Sequence, residues 1–539
     1  MTNIRAVRAR IATGLSIVVL FLAALAPGLI DSGSALALIR VPLEAVLALA
    51  VLALLPWRTA RVIVAGLCAL LFVSATLSAA LDRGFTVTVG QPFNVVTGWP
   101  ELVDAYGVLS DSTGPVAAPA IVVLLIVAAA GCVVAVAASL LHLAGLIRRH
   151  RRSALIGSTA VIAGWVVLAL TGAQLVRGEP IAASDTVTAA VATADQVSAA
   201  ERDQAAIRRA GASDPYAQLP ASDLLTSLKG KDVIVAFIES YGQVAVQNTS
   251  YSAGVDAVLR QGNTDLAAHG YSERSAFLTS STFGGISWLA HSTLQTGLWI
   301  DSQLKYDTVT KGTRFTLSDA FAKAGWQTLS DVPSDTKPWE VGRSFYHFGT
   351  ELNALNVGYR GPAFSYARIP DQYTWAYLQQ HELAQPHKPL MAEIDFVSSH
   401  TPWTPLPHLV PWSSVGDGSV FDPQPAQGLS PSVVWQDPHH VQQLYGQSIE
   451  YTMSSLFSFL TTFDDPNLVL VVLGDHQPAA VVSGTGANHN VPISIISKDS
   501  RVIDRISSWN WEPGMLPSPS APVWRMDAFR DRFLSAYGR

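Results

Sequence analysis

The chain has 539 residues, a net charge of −6 and only two cysteines. A balance this close to neutral excludes the basic footprint of a nucleic-acid binder, and two cysteines exclude a disulfide-stapled scaffold. Nearly half the residues are hydrophobic and only 14% are charged, a composition that points toward membrane segments before any residue is placed.

The first 177 residues read as a membrane domain. Apolar stretches run over Ile11–Ile30, Ala35–Pro56, Val62–Leu81, Ala118–Ile147 and Ala154–Val176. Each reaches the ~20 apolar residues needed to cross a bilayer, which predicts five spans. Arg40 and Glu44 fall inside the second stretch, four residues apart and so on one helix face. Both cysteines, Cys68 and Cys132, lie in spans.

Orientation follows from the basic clusters. Arg5, Arg8 and Arg10 precede the first span, Arg58 and Arg61 separate the second and third, and Arg148, Arg149, Arg151 and Arg152 separate the fourth and fifth. With five spans all three clusters share one side, which the positive-inside rule makes cytoplasmic. Everything after Arg177 is then extracytoplasmic, on a multi-pass protein of the plasma membrane. The external loop at about 82–117 carries F-T-V-T-V-G-Q-P-F-N-V-V-T-G-W, whose aromatic residues suit the membrane–water interface.

Residues 178–229 are rich in Ala, Ser, Asp and Thr and read as a polar, partly helical connector. From residue 230 to 539, strand-like and helical runs alternate. Expected strands are Val233–Glu239, Ser275–Thr279, Thr328–Val332, Leu390–Val397, Leu468–Leu473 and Ile493–Ser497. That alternation predicts a layered α/β domain with a mostly parallel or mixed sheet, and 310 residues are ample for one large core. The C-terminal P-V-W-R-M-D-A-F-R-D-R-F places Met526, Phe529 and Phe533 on one face of a helix expected to dock on the sheet.

Two strands end in chemistry. D-V-I-V-A-F-I-E-S delivers Glu239, and N-L-V-L-V-V-L-G-D-H delivers Asp475 and His476. Sites in open α/β sheets form at carboxyl strand ends, and two carboxylates with an imidazole form a mixed oxygen–nitrogen set for one divalent metal. That set suits Mn2+ or Zn2+ better than Ca2+, and Mn2+ is the expected ion, with Zn2+ or Mg2+ as alternatives. A nucleophile is sought in S-T-F-G-G-I-S-W-L-A-H-S-T-L-Q-T-G. Two glycines permit a tight turn and Ser287 then opens a helical run. Ser287 reads either as a plain helix cap or as a hydroxyl poised in the positive field of the helix start. Thr282, Ser292 and Thr293 are rival hydroxyls.

The ordered set of strand–Glu, Gly-preceded hydroxyl, mid-domain His, strand–Gly-Asp-His and a further His resembles the sulfatase-like branch of the alkaline phosphatase superfamily. Five spans followed by an external domain resemble lipoteichoic acid synthase-like phosphoglycerol transferases in particular. Phosphoethanolamine transferases share that plan. The resemblance implies metal ligands at Glu239, Asp475 and His476, with Ser287 as a nucleophile that also touches the metal. It implies substrate-facing catalytic histidines at His400 in D-F-V-S-S-H-T-P-W and His489 in A-N-H-N-V-P-I. Trp339 and Arg343 in K-P-W-E-V-G-R-S-F-Y resemble a head-group-binding pair with stretched spacing. Family members of this kind usually carry Thr where Ser287 stands. Ser287 lacks the following Pro and Arg of a true sulfatase, and the external domain lacks the disulfides usual in phosphoethanolamine transferases, which favours the glycerophosphate type. The implied activity moves a phospholipid head group, glycerophosphate first, from a membrane phospholipid donor to an envelope glycan or glycolipid acceptor through a phospho-Ser intermediate. A phosphoethanolamine transferase, a head-group-releasing phosphodiesterase and a non-catalytic envelope protein are the alternatives.

Overall fold

Two compact units make up the computed structural model, one over residues 1–86 and 91–202, the other over 87–90 and 203–539. It describes residues 2–89, 92–99, 102, 106, 116–149, 151–177, 179–247 and 249–539.

The first unit is helical. Its helices are α1 (Thr2–Ser32), α2 (Leu43–Leu54), α3 (Arg58–Val89), α4 (Ala117–Arg149) and α5 (Arg151–Thr171), and α6 (Asp185–Gly211) begins in it. Segments of α1, α3 and α4 are long and apolar enough to cross a membrane, whereas Leu43–Leu54 and Ile156–Thr171 are shorter apolar helices. Small residues such as Ala24, Ala65, Ala69 and Ala144 pack with Leu52, Phe72 and Leu140 in its core, where they let helix backbones approach closely.

The second expected span differs from its sequence reading. Residues 35–39 form a 3-10 turn, Val41–Pro42 is extended, and Pro42 caps a helix of only 12 residues. Proline fixes this break, because the residue before it avoids helical backbone. Arg40 therefore lies outside α2 and does not share a helix face with Glu44. It pairs with Asp185 at 3.5 Å, and Glu44 Oε1 accepts the Val187 N–H at 3.2 Å, so both groups serve the start of α6. The expected external loop begins later than residue 82, since α3 continues through Val89. Much of the stretch from 100 to 115 lies outside the described residues. Within its described part Phe93 is buried, edge-on to Phe85 and Trp99.

The second unit is built on a nine-stranded sheet. Its strands are β1 (Asp232–Ile238), β2 (Ser272–Thr279), β3 (Gln327–Val332), β4 (Thr350–Asn353), β5 (Leu390–Phe396), β6 (Leu468–Gly474), β7 (Asn490–Ser497), β8 (Glu512–Pro513) and β9 (Val523–Arg525). In space they run β8-β2-β7-β6-β1-β5-β3-β4, with β9 on the far side of β2. The strands β6, β1, β5, β3 and β4 are mutually parallel, and β7 runs against them. All six strands expected from the sequence are present.

Central strands are buried from end to end, as parallel strands covered on both faces must be. Their residues divide by parity. Ile234, Ala236, Ile238, Leu470 and Val472 face one layer, which includes α7 (Ser252–Ala268) through Val255 and Leu259 and a long helix at Pro438–Phe463. Val233, Val235, Phe237, Val469, Val471 and Leu473 face the other. That layer includes α8 (Ser287–Thr296) and the C-terminal helix Phe529–Tyr537, together with Met526, Phe529 and Phe533.

Candidate metal centre and nucleophile

Chain parity carries on past the strand ends. Glu239 follows Val233, Val235 and Phe237, and Asp475 follows Val469, Val471 and Leu473, so both carboxylates fall on the α8 side of the sheet. Leu473 and Gly474 of β6 pair in register with Phe237 and Ile238 of β1, which sets the two acids side by side. A close approach needs Gly474 here: a Cβ at that position would lie 2.0 Å from the Tyr241 carbonyl oxygen.

The loop after β2 brings the hydroxyl. Gly284 has a positive φ of 72°, and Ile286, a β-branched residue, is held in the left-handed region at φ 63° immediately before Ser287. Such backbone strain persists only where the surroundings enforce it, and it concentrates at functional sites. Ser287 is the first residue of α8. Its Oγ donates to Glu239 Oε2 at 3.1 Å and lies 3.2 Å from His476 Nε2. His476 Nε2 is in turn 3.6 Å from Glu239 Oε1 and 3.3 Å from Asp475 Oδ2.

Ligand atoms of Glu239, Asp475 and His476 lie within 4.8 Å of one another. Surrounding bonds fix each of them. Ser240 donates its N–H to Asp475 Oδ1 and its hydroxyl to Glu239 Oε1. Ring nitrogen Nδ1 of His476 is 2.9 Å from the Gln477 carbonyl, leaving Nε2 directed at the centre. Burial would raise the Glu239 carboxyl, but the fields of His400 and His476 outweigh it and hold it low. Burial, with Glu239 beside it, pushes Asp475 up to about 7. The protein alone therefore keeps one of two adjacent buried acids charged with ease. A divalent cation is what such a donor set fits, because it lets both ionise together.

His400 lies at the edge of this centre. Its ring stacks on Tyr366 at 3.7 Å, its Nδ1 is 2.5 Å from the Thr401 carbonyl, and its charge acts on Glu239. His489 sits on the loop before β7. Its carbonyl accepts the Ser280 N–H at 2.8 Å, while the Ser280 hydroxyl donates to the Asp475 carbonyl at 2.6 Å. Burial pulls the His489 imidazole below its ordinary value.

Trp339 and Arg343 are engaged elsewhere. Trp339 packs on Tyr346 at 5.2 Å, and Arg343 Nε pairs with Glu351 at 3.1 Å. Among the described residues neither makes a hydrogen bond, ion pair or ring contact with Glu239, Ser287, Asp475 or His476. The rival hydroxyls are bound away: Thr282 Oγ1 donates to the Gly285 carbonyl, Thr293 Oγ1 to the Leu289 carbonyl, and Ser292 is fully buried.

Sequence reasoning missed a second polar cluster one turn below Ser287. His291 lies between Glu393 and Asp395 of β5. Burial would lower its imidazole, but Asp395 and Glu393 outweigh it and push it up to about 9, while burial pushes the Asp395 carboxyl up to about 8. The available signal was the alternation A-E-I-D-F inside an otherwise apolar strand, which puts two acids on one sheet face.

No protein-family model and no curated protein matches the sequence. Among solved structures, the chain is similar to lipooligosaccharide phosphoethanolamine transferase A of Neisseria meningitidis, an integral membrane protein, at 12% identity over 96% of this chain and 95% of that one, with a TM-score of 0.45. It is also similar to a phosphoglycerol transferase of Streptococcus pyogenes in complex with sn-glycerol-1-phosphate, at 12% identity over 62% and 91% of the two chains, TM-score 0.36. A third likeness is to a lipoteichoic acid synthase of Listeria monocytogenes, at 14% identity over 55% and 71%, TM-score 0.34. These likenesses are of low identity and low score, and the roles of the residues come from the centre's own geometry.

Proposed function

We propose that the protein is a metal-dependent phosphotransferase that moves a phospholipid head group, glycerophosphate first, onto an envelope glycan or glycolipid through a phospho-Ser287 intermediate. The observation that carries this reading is the Ser287 hydroxyl, held within hydrogen-bonding distance of Glu239 and His476 at the mouth of a buried Glu–Asp–His set. Glu239, Asp475 and His476 would hold one divalent ion, Mn2+ ahead of Zn2+ or Mg2+, with Ser287 completing the set. The ion supplies a Lewis acid that lowers the pKa of a hydroxyl and offsets phosphoryl charge.

The remaining chemistry belongs to the chain. Ser287 Oγ attacks the phosphorus of the donor phosphodiester in line, forming the Oγ–P bond as the bond from phosphorus to the diacylglycerol oxygen breaks. His400 and His489 serve as general acid and base, one accepting the serine proton and the other giving a proton to the departing oxygen. An acceptor hydroxyl then attacks the phosphoserine from the open side. The histidine that gave its proton takes the acceptor's, and the one that accepted the serine proton returns it to Ser287. Two half-reactions through one covalent intermediate give ping-pong kinetics. Trp339 and Arg343 are the proposed head-group contacts, reached once a substrate draws Arg343 away from Glu351.

Five apolar helices in the first unit, three of them of spanning length, support a multi-pass protein of the plasma membrane with residues after 177 outside. Lipid donor and metal centre then share one compartment.

Incubation of the full-length protein with phospholipids labelled in different head groups, followed by mass spectrometry of Ser287, tests the reading. A phosphoglycerol adduct on Ser287 that chases onto an acceptor is the expected result, and label released only to water would make the protein a phosphodiesterase. Ser287→Ala retaining near wild-type transfer would overturn the assignment, with Thr282 the next hydroxyl to examine.

A further inference from the structure

Ser287, His291 and Gln295 are spaced by four residues on α8, so they form one stripe of the helix. That stripe faces the sheet. Phe237 and Val235 of β1 stand in register beside Asp395 and Glu393 of β5, and Met391, Val235 and Phe237 belong to the core layer that includes α8. The His291 ring lies on the Phe237 ring at 3.7 Å and 19°. Its Nδ1 is 3.2 Å from Glu393 Oε1 and 3.4 Å from Asp395 Oδ1. One turn further, Gln295 Nε2 donates to Glu393 Oε2 at 2.5 Å, and Gln295 Oε1 accepts the Ser318 N–H at 3.0 Å. The side chains of His291 and Glu393 are only 11% and 6% exposed.

A helix seated on a sheet gains nothing in stability from such a ladder. Apolar side chains fill the same space as well or better, because desolvating the charges offsets their attraction. What the ladder adds is discrimination. A one-residue slip of α8, or a rotation that turns His291 aside, leaves Glu393, which is buried, and Asp395 without the imidazole that bridges them. Only one seating of the helix satisfies every partner, and that seating puts Ser287 on Glu239 and His476.

We propose that His291, clasped by Glu393 and Asp395, is a positioning residue that fixes the seating of α8 and so holds the Ser287 hydroxyl in line at the metal centre. This rests on Ser287 being the nucleophile, as proposed above. His291 touches neither substrate nor metal. Its effect is on the covalent step and not on lipid affinity or ion binding.

The full-length protein carrying His291→Leu together with Glu393→Gln tests this. The glutamine keeps an acceptor for Gln295 Nε2 and removes the buried charge at 393 that His291 faced, and the melting temperature reports whether the fold is kept. Expected is a fall of about 100-fold in kcat and in the single-turnover rate of Ser287 phosphorylation, the size of effect that an ångström of misplacement brings. KM, metal content and melting temperature should stay near wild type. His291→Asn, whose amide nitrogen stands where Nδ1 stood, should recover about tenfold of the loss, since it keeps the bond but not the charge. Wild-type kcat in the double variant, while Ser287→Ala is inactive, overturns the proposal. So does a loss of kcat that tracks loss of metal or of folded protein. Activity in Ser287→Ala is a different failure, of the nucleophile itself.

Discussion

Ser240 and Asp475 are 235 positions apart in the chain, yet the backbone N–H of Ser240 donates to Asp475 Oδ1 at 2.7 Å. Ser240 sits at a positive φ of 57°, and that turn lets its N–H reach one acid while its hydroxyl reaches the other, Glu239 Oε1, at 2.8 Å. One residue thus sets the spacing of both carboxylates.

Asp475→Asn should therefore abolish tight metal binding. The amide cannot supply the second negative charge, and its NH2 would oppose either the Ser240 N–H or the ion. Metal analysis of purified protein should show stoichiometric ion in wild type and little in the variant. Thermal stability in the presence of added metal should fall as well, by about 3 kcal/mol at an ion concentration a hundred times the wild-type Kd. Unchanged metal content would remove Asp475 from the ligand set.

Gly474→Ala is expected to disturb the same centre without touching a ligand. Its Cβ would sit 2.0 Å from the Tyr241 carbonyl oxygen, and backbone cannot swing aside as a long side chain can. Separation of β6 from the turn after β1 should cost about 1–3 kcal/mol and part the two acids. Metal titration by calorimetry should show an affinity at least about tenfold weaker, since half-ångström errors in ligand placement matter at this scale. Affinity equal to wild type would show that the strand ends yield freely.

Much of this was legible in the sequence, for reasons that can be named. Apolar runs such as V-I-V-A-F-I and L-V-L-V-V-L are short and rich in Val, which favours strand over helix, and a strand end followed at once by Glu or Gly-Asp-His puts those groups at one end of a sheet. The His291 clasp was not legible in the same way. A histidine on a helix is defined by what the facing strand offers, and only the register of Phe237 with Asp395 supplies that. The break near Pro42 was hidden for the opposite reason: apolar residues continue through it, so hydropathy does not change where the backbone does. Arg343 shows a third limit. The family resemblance implied a head-group contact despite a stretched spacing, and nothing in the sequence indicated that Arg343 pairs with Glu351.

Membrane orientation is open to direct measurement. Basic clusters before α1, between α2 and α3 and between α4 and α5 place those ends in the cytoplasm if all five apolar helices span. Reporter fusions after Arg152 and after Gly230 should then report opposite sides. Both reporters on the cytoplasmic side would remove the lipid donor from reach of the centre and the envelope function with it.

Asp331 offers a test of pH dependence away from the metal. It lies near the carboxyl end of β3, 2% exposed, and its Oδ1 finds no hydrogen-bond partner among the described residues. Burial, with Glu382 nearby, pushes its carboxyl up to about 7 from an ordinary 3.8. The folded state therefore favours the protonated acid. This contribution to stability is complete below the unfolded value of 3.8 and is lost as pH rises through 7. At pH 8 the group must either ionise in place or stay protonated against the solvent, at a cost on the order of 2–4 kcal/mol, given about 1.4 kcal/mol per unit. Asp331→Asn carries no charge to desolvate, so it should raise the melting temperature by several degrees at pH 8 and by less than half as much at pH 5. An equal shift at both pH values would show that the side chain's shape, and not its ionisation, sets its contribution.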